Sequence, residues 1–289
     1  MAVLATSSRI TRRRHRSIVA ARAIFTHVLV LFGAVWMLVP FLWMIGASLE
    51  PEDEIFTYPP TLIPRQLDFQ HWVLAWSLVP FPRFFLNSGV MSVCITVGQL
   101  ITAIFAAYAF ARLQFPGRDR LFLCFLATLM VPGQVLLIPQ FVIIRTFGWL
   151  NTYQALIVPG LASAYAVFLL RQFFLGLPRE LEDAARIDGC SPLRILWQII
   201  VPLSGPAIIT MAIFAFLGSW NAFLWPLIVS TGQDMFTVQL GLTMFRGAYS
   251  TQWTYIMAAA SFITLPVLLV FFVGQRYFTS GIALTGLKG

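Results

Sequence analysis

The chain has 289 residues, of which 59% are apolar and 10% charged, against the roughly 25% charged residues of soluble domains. With a mean hydropathy of +0.83, that composition excludes a soluble globular enzyme and a disordered chain. The net charge of +8 does not point to nucleic acid, because the basic residues lie between long apolar runs and face lipid headgroups and other proteins there.

Taken in chain order, a basic segment 1–22 precedes the first stretch free of Asp, Glu, Lys and Arg, residues 23–49. That run is too long for the 7–15-residue apolar core of a signal peptide, so an uncleaved helix over 23–46 is expected. A polar segment 47–83 follows, and its uncharged stretch 69–82 is too short to span. The remaining uncharged runs are 84–111, 121–144, 146–170, 195–233 and 247–275. A bilayer core of about 30 Å needs roughly 20 helical residues. The sequence therefore predicts an all-α integral membrane protein with six transmembrane helices, five of them in a core over 84–276, and a tail at 277–289. Unbroken apolar runs exclude a β-barrel, which needs alternation.

An even number of spans puts both termini on one side. With the N-terminus inside, the inner segments hold 15 of the 19 basic residues, leaving Arg65, Arg83, Arg145 and Arg246 outside. The bias of Lys and Arg sets orientation, so both termini are expected to be cytoplasmic. Cys94, Cys124 and Cys190 show no metal-ligand spacing and are odd in number, which argues against a disulfide framework.

Between the fourth and fifth spans lies an inner loop, residues 177–202, that reads as two short helices. Pro178 suits a first turn, and Glu180, Glu182 and Asp183 favour the positive helix end. Asp188 and Gly189 stop that helix, with Gly189 supplying a left-handed turn. Ser191 caps a second helix that Pro192 opens, with Leu193, Leu196, Trp197 and Ile200 forming one apolar stripe and Pro202 ending it. The residues alone allow either an amphipathic element in the headgroup layer or a docking element for a cytoplasmic partner.

The same segment resembles the loop of permease subunits of binding-protein-dependent ABC importers: Glu-Ala-Ala, three residues, Gly, nine residues, Ile-x-Leu-Pro. Here Asp183, Ala184 and Ala185 are followed by Gly189, then by Ile199, Ile200, Val201 and Pro202. Asp183 replaces Glu and Val201 replaces Leu, without change of charge sign or apolarity. The run from Ala185 to Pro192 resembles the carbohydrate-uptake branch, of the maltose permease type. Pro51 to Pro64, Ala106 to Leu113, Phe115 to Arg118, Gly148 to Tyr153, Trp220 with Asn221, and Gly286 to Gly289 match that branch in order. The branch often has Lys where Glu50 stands.

The resemblance implies a type I ABC importer permease fold in a bacterial or archaeal cytoplasmic membrane. It implies a second homologous permease, two cytoplasmic ABC ATPases that bind ATP and Mg, and an extracytoplasmic solute-binding protein as partners. The coupling loop would use Glu182, Asp183, Ala184, Ala185, Asp188, Gly189, Ser191, Pro192, Ile199 and Pro202. The solute would be a carbohydrate or carbohydrate-like molecule, with glycerol-phosphate or glycerophosphodiester esters as the alternative within the same architecture. Residues 281–288 only superficially resemble a phosphate loop, with Leu287 before Lys288 and no hydroxyl residue after it, so no cofactor is expected on this chain. An ion-coupled transporter would need an ionisable residue inside a span; the three histidines (His15, His27 and His71) are scattered, and no Asp, Glu, Lys or Arg lies in the six runs.

Gln99, Gln134, Trp220 and Asn221 are candidate pathway residues; interhelical hydrogen bonding is the competing role for the polar groups and interface anchoring for the indole. The segment 230–253 mixes glycines with Asp234, Phe236, Phe245 and Tyr249. It reads either as a shaped loop for the binding protein, the role implied by the resemblance, or as an aromatic anchor at the headgroups.

Overall fold

In the computed structural model, the backbone is described for residues 2–58, 64, 66–247 and 251–285, and side chains for 22–58, 64, 66–247 and 251–275. The elements in chain order are α1 (Ala2–Ala47), α2 (Gln70–Ser77), α3 (Phe81–Arg112), α4 (Arg118–Ala127), α5 (Gly133–Thr146), α6 (Tyr153–Ile157), α7 (Ala164–Leu175), α8 (Glu180–Ile187), α9 (Pro192–Ile195), α10 (Val201–Leu203), α11 (Gly205–Trp220), α12 (Leu224–Val229), α13 (Val238–Gly241) and α14 (Trp253–Thr285). Among the described residues there is no strand, only an isolated antiparallel bridge between Arg246 and Thr251.

Among the described residues, four helical stretches are long and apolar enough to cross a membrane: Arg22–Ala47, Phe81–Arg112, Tyr153–Leu175 and Trp253–Gln275. Two bent pairs raise the number to six if each is one span. The first pair, Arg118–Met130 with Gly133–Thr146, turns by 98°, where the sequence suggests a single span over 121–144. Its cause is Pro132, which forces the preceding residue out of the helical region; Val131 accordingly sits at φ −83°, ψ 117°. The second pair, Pro192–Leu203 with Gly205–Trp220, turns by 80° at Ser204. The apolar run 195–233 is thus divided among the end of the loop helix, α11 and α12.

The helical axis of the bundle is α3. Its buried Ala103, Ala107 and Ala111 recur every fourth residue, a small-residue ridge that lets α7 approach with Ala166, Val167, Leu170 and Phe174. From the other side α11 packs on α3, and α14 packs on α11, α2 and α1. Away from α8, a second core gathers Phe81, Phe84, Trp220, Val238, Phe245 and Ile263. Helix α1 meets the bundle at α14. It is continuous across the 22/23 boundary, and most of its large apolar side chains between Ile24 and Ile45 are exposed.

Candidate functional site

The loop after α7 is built as two helices around a glycine turn. Helix α8 begins at Glu180, two residues later than Pro178, and carries Glu180, Glu182 and Asp183 in its first turn. Gly189 has φ +78°, the left-handed geometry that an L side chain adopts at a cost of about 1–2 kcal/mol. Ser191 then caps α9, its side chain accepting from the backbone N–H of Arg194 at 3.4 Å.

The second helix differs from its expected form. Residues 196–200 form a π-helical turn, and the helix continues through Pro202 to Leu203. Pro202 has no N–H to donate, and the wider turn accommodates that lost bond. The buried face of this helix is formed by Ile195, Leu196 and Ile200, with Ile199 partly buried, whereas Leu193 and Trp197 are exposed; Leu193, Leu196, Trp197 and Ile200 do not share one buried stripe.

On α8 only Glu182 and Ala185 are buried. Ala184, Asp188 and Ser191 are exposed, as are Pro192, the Asp183 side chain and Ile187, at 64% and 87%. Ile199 is partly buried against the core. The loop thus turns a mixed acidic and apolar face outward while Glu182 points into the protein.

Toward the middle of the bundle lies a cavity of 380 Å³ lined by residues of α3, α5, α6, α7, α11 and α12 and the stretch between α6 and α7. Met91, Ile95, Met211 and Phe214 form apolar walls, and Gln99, Gln140, Ser163, Tyr165, Ser219 and Trp225 add uncharged polar groups. The Gln99 amide donates to the Gly160 carbonyl at 2.8 Å, and the Trp225 indole to that of Ala155 at 2.8 Å. Both side chains are thereby fixed. Gly160 lets Ile95 approach closely: a Cβ there would lie 2.9 Å from Ile95 Cδ1, so the Ile95 side chain would have to shift.

Of the four pathway candidates, only Gln99 lines this cavity. Gln134 is exposed on the surface of the chain. Trp220 is buried in the second core, stacked on Phe216 at 5.6 Å, with its indole N–H donating to Ile263 O at 3.1 Å. Asn221 donates to Leu217 O at 2.9 Å and accepts from Gln239 at 3.1 Å.

The segment after α12 is a packed structure. Buried Asn87 of α3 donates to the carbonyls of Asp234 and Phe236 at 2.8 and 2.9 Å, and its own oxygen accepts from the Tyr153 hydroxyl at 2.6 Å. The Asp234 carboxylate accepts from Asn151. Phe236 lies against Phe84, and Phe245 is buried against Phe81 and Tyr255. Tyr249 lies outside the described residues.

Residues 99–283 match the family described as binding-protein-dependent transport system inner membrane component, well over half of the chain. The chain belongs to that family. It is 38% identical over 253 residues to the arabinooligosaccharides transport system permease protein AraQ of Halalkalibacterium halodurans, covering 86% of this chain and 91% of that one. It is 36% identical over 268 residues to the sn-glycerol-3-phosphate transport system permease protein UgpE of Pectobacterium atrosepticum, covering 90% and 95%. Among solved structures it is similar to a chain of a bacterial ABC transporter that imports the acidic polysaccharide alginate, with a TM-score of 0.79 at 23% identity, covering 89% and 96%. The fold is that of a type I ABC importer permease, and the relatives are transport permeases rather than enzymes.

For an inner membrane permease, four groups of residues stand out that the sequence reading passes over. Arg112 serves there as a marker of orientation and as part of the Ala106–Leu113 resemblance, with no role of its own. Asn87 is one of many polar residues in the spans, and Asn151 carries only family resemblance. Gln140, Ser163, Tyr165 and Trp225 converge only through the breaks at Pro132 and Ser163, so spacing along the chain could not have collected them.

Proposed function

We propose that this chain is one transmembrane subunit of an ATP-driven importer of a carbohydrate. It spans the cytoplasmic membrane six times, each bent pair counting once, with both termini inside, as the excess of basic residues in the inner segments supports. It works beside a second, homologous permease. Two cytoplasmic ATPases dock on the loop containing α8 and α9, and ATP with Mg is bound and hydrolysed on them. An extracytoplasmic binding protein delivers the solute to the end of the bundle that carries Asn151 and Asp234.

One observation carries this reading. The helix, left-handed glycine and capped second helix over 180–195 present Asp183 and Ile187 outward at the foot of the bundle, a shape suited to a groove on a partner rather than to a flat bilayer. The cavity beyond supports a neutral, hydroxyl-rich solute, because its polar lining is uncharged and a phosphate ester would be recognised through Arg or Lys.

The test is uptake into proteoliposomes holding the full complex with its binding protein, using arabinotriose and glycerol-3-phosphate as separate probes. ATP-dependent accumulation of arabinotriose is expected. Accumulation of glycerol-3-phosphate alone would transfer the chain to the phosphate-ester branch, as relatives named for that substrate at 36% identity allow.

A further inference from the structure

At the foot of the bundle, a buried ion pair joins the last residue of α3 to α8. Arg112 Nε lies 2.9 Å from Glu182 Oε1, with the side chains only 2% and 3% exposed. The same guanidinium donates through its terminal nitrogen to the carbonyl of Phe174, in the last turn of α7, and at 2.7 Å to that of Leu177 just beyond it. Arg186 approaches the other Glu182 oxygen at 3.9 Å from the exposed side.

Helix α8 has little else to hold it. Of its eight residues, only Glu182 and Ala185 are buried. Removing two charges from water is expensive, and such a pair often stabilises no more than apolar residues of equal volume would. A stability role alone therefore accounts poorly for it. A planar guanidinium, by contrast, satisfies several acceptors in fixed directions, which an ammonium cannot do. It links three elements at one point.

We propose that Arg112 is the joint through which displacement of α8 becomes displacement of α3 and α7, with Glu182 as the lever it holds. Helix α3 then carries the motion to Gln99 and Ile95 in the cavity, roughly 20 Å away at 1.5 Å per residue. Arg112 is a positioning residue: it does not line the cavity, and its side chain is buried behind Glu182. The proposal rests on the reading that α8 receives the ATPase.

The experiment uses the assembled complex with Cys94, Cys124 and Cys190 replaced by Ser and spin labels at Leu181→Cys, exposed on α8 but outside the docking face, and Ile101→Cys on α3. Distances are compared without nucleotide and after trapping with ATP and vanadate. In the otherwise wild-type complex the two labels move as one body, and their distance is unchanged by trapping. In the double variant Arg112→Met, Glu182→Met, which leaves no lone buried charge, ATPase subunits stay bound and basal hydrolysis persists. The trapped distance then shifts by more than the width of the free-state distribution, and stimulation by the cognate binding protein falls several-fold. Arg112→Lys gives an intermediate result. An unchanged distance with wild-type stimulation in the double variant overturns the proposal. So does failure of every variant, Arg112→Lys included, to assemble, because the pair would then serve folding. Ile187→Asp separates the two readings: if it leaves the ATPase attached, the docking assignment fails; if it releases the ATPase while the double variant couples normally, only the joint fails.

Discussion

The amide of Asn151 holds both carboxylate oxygens of Asp234, each at 3.1 Å, across a separation of 83 residues. Asn151 is also the one described non-glycine residue with positive φ, at 57°. Its side-chain oxygen accepts from the backbone N–H groups of Thr231 and Gly232 at 3.1 and 2.9 Å, and its own N–H donates to Val229 O at 2.8 Å. The turn before α6 is thus the template for the segment after α12.

Two substitutions separate backbone from side chain. Asn151→Gly keeps the left-handed geometry and removes the side-chain bonds, each worth about 1 kcal/mol net. Asn151→Ala adds the left-handed penalty of about 1–2 kcal/mol. Both variants are expected to assemble. Hydrogen exchange at the amides of 229–236 should rise in both, more in the alanine variant, and stimulation of hydrolysis by the binding protein should fall with it. Equal protection in wild type and both variants would remove Asn151 from that role.

How far the sequence revealed this arrangement depended on the kind of signal. Uncharged runs located the apolar segments because a bilayer excludes ionised groups over a fixed thickness. Gly189 and Ser191 announced their turn and cap through conformational preferences that need no tertiary context. The breaks at Val131–Pro132 and Ser204 were not visible as bends, because a proline in an apolar run is compatible with either a kink or a continuous helix. The packing of the segment around Phe236 and Phe245 was not legible from composition: Asn87, a single residue inside α3, draws the backbone carbonyls of Asp234 and Phe236 onto the bundle. Such a long-range side-chain bond leaves no periodic trace.

At Gly189 the expected order of coupling is Gly, then Asn, then Ala, then Val. A Cβ there meets nothing within 4 Å, so the series reports backbone strain without a clash. Asparagine tolerates the left-handed region best, whereas a β-branched side chain is a steric outlier there. Gly189→Val should leave membrane insertion intact and separate ATP hydrolysis from uptake. Solute-stimulated hydrolysis and uptake both at wild-type level in that variant would take the turn out of the mechanism.

Replacing Asp234–Arg246 by a flexible linker of equal length should abolish assembly rather than merely weaken the response to the binding protein. The replaced stretch contributes buried Val238, Leu240 and Phe245 to the core, and truncating one buried phenylalanine to alanine costs about 3–5 kcal/mol. Detergent-solubilised yield and thermal unfolding of the complex measure this, with Phe245→Ala as the minimal version.

Trp220 and Trp225 should behave differently although they lie only five positions apart. Trp220 is buried with its N–H on Ile263 O, away from the cavity. Trp220→Phe keeps most of the ring packing and leaves the carbonyl of Ile263 without that donor, a loss of about 1–3 kcal/mol. The consequence is a lower unfolding temperature with the apparent KM for the solute unchanged. Trp225 lines the cavity and is held there by its bond to Ala155 O. Trp225→Phe loses a comparable hydrogen bond and also alters the wall that the solute passes, so KM rises as stability falls. Gln140→Leu is the control in the other direction: Gln140 lines the same cavity, and its replacement by an apolar residue of similar size should raise KM while leaving the unfolding temperature near wild type. A KM effect at Trp220 equal to that at Trp225 would show that the solute route runs through the second core, contrary to the placement of the cavity among α3, α5, α6, α7, α11 and α12.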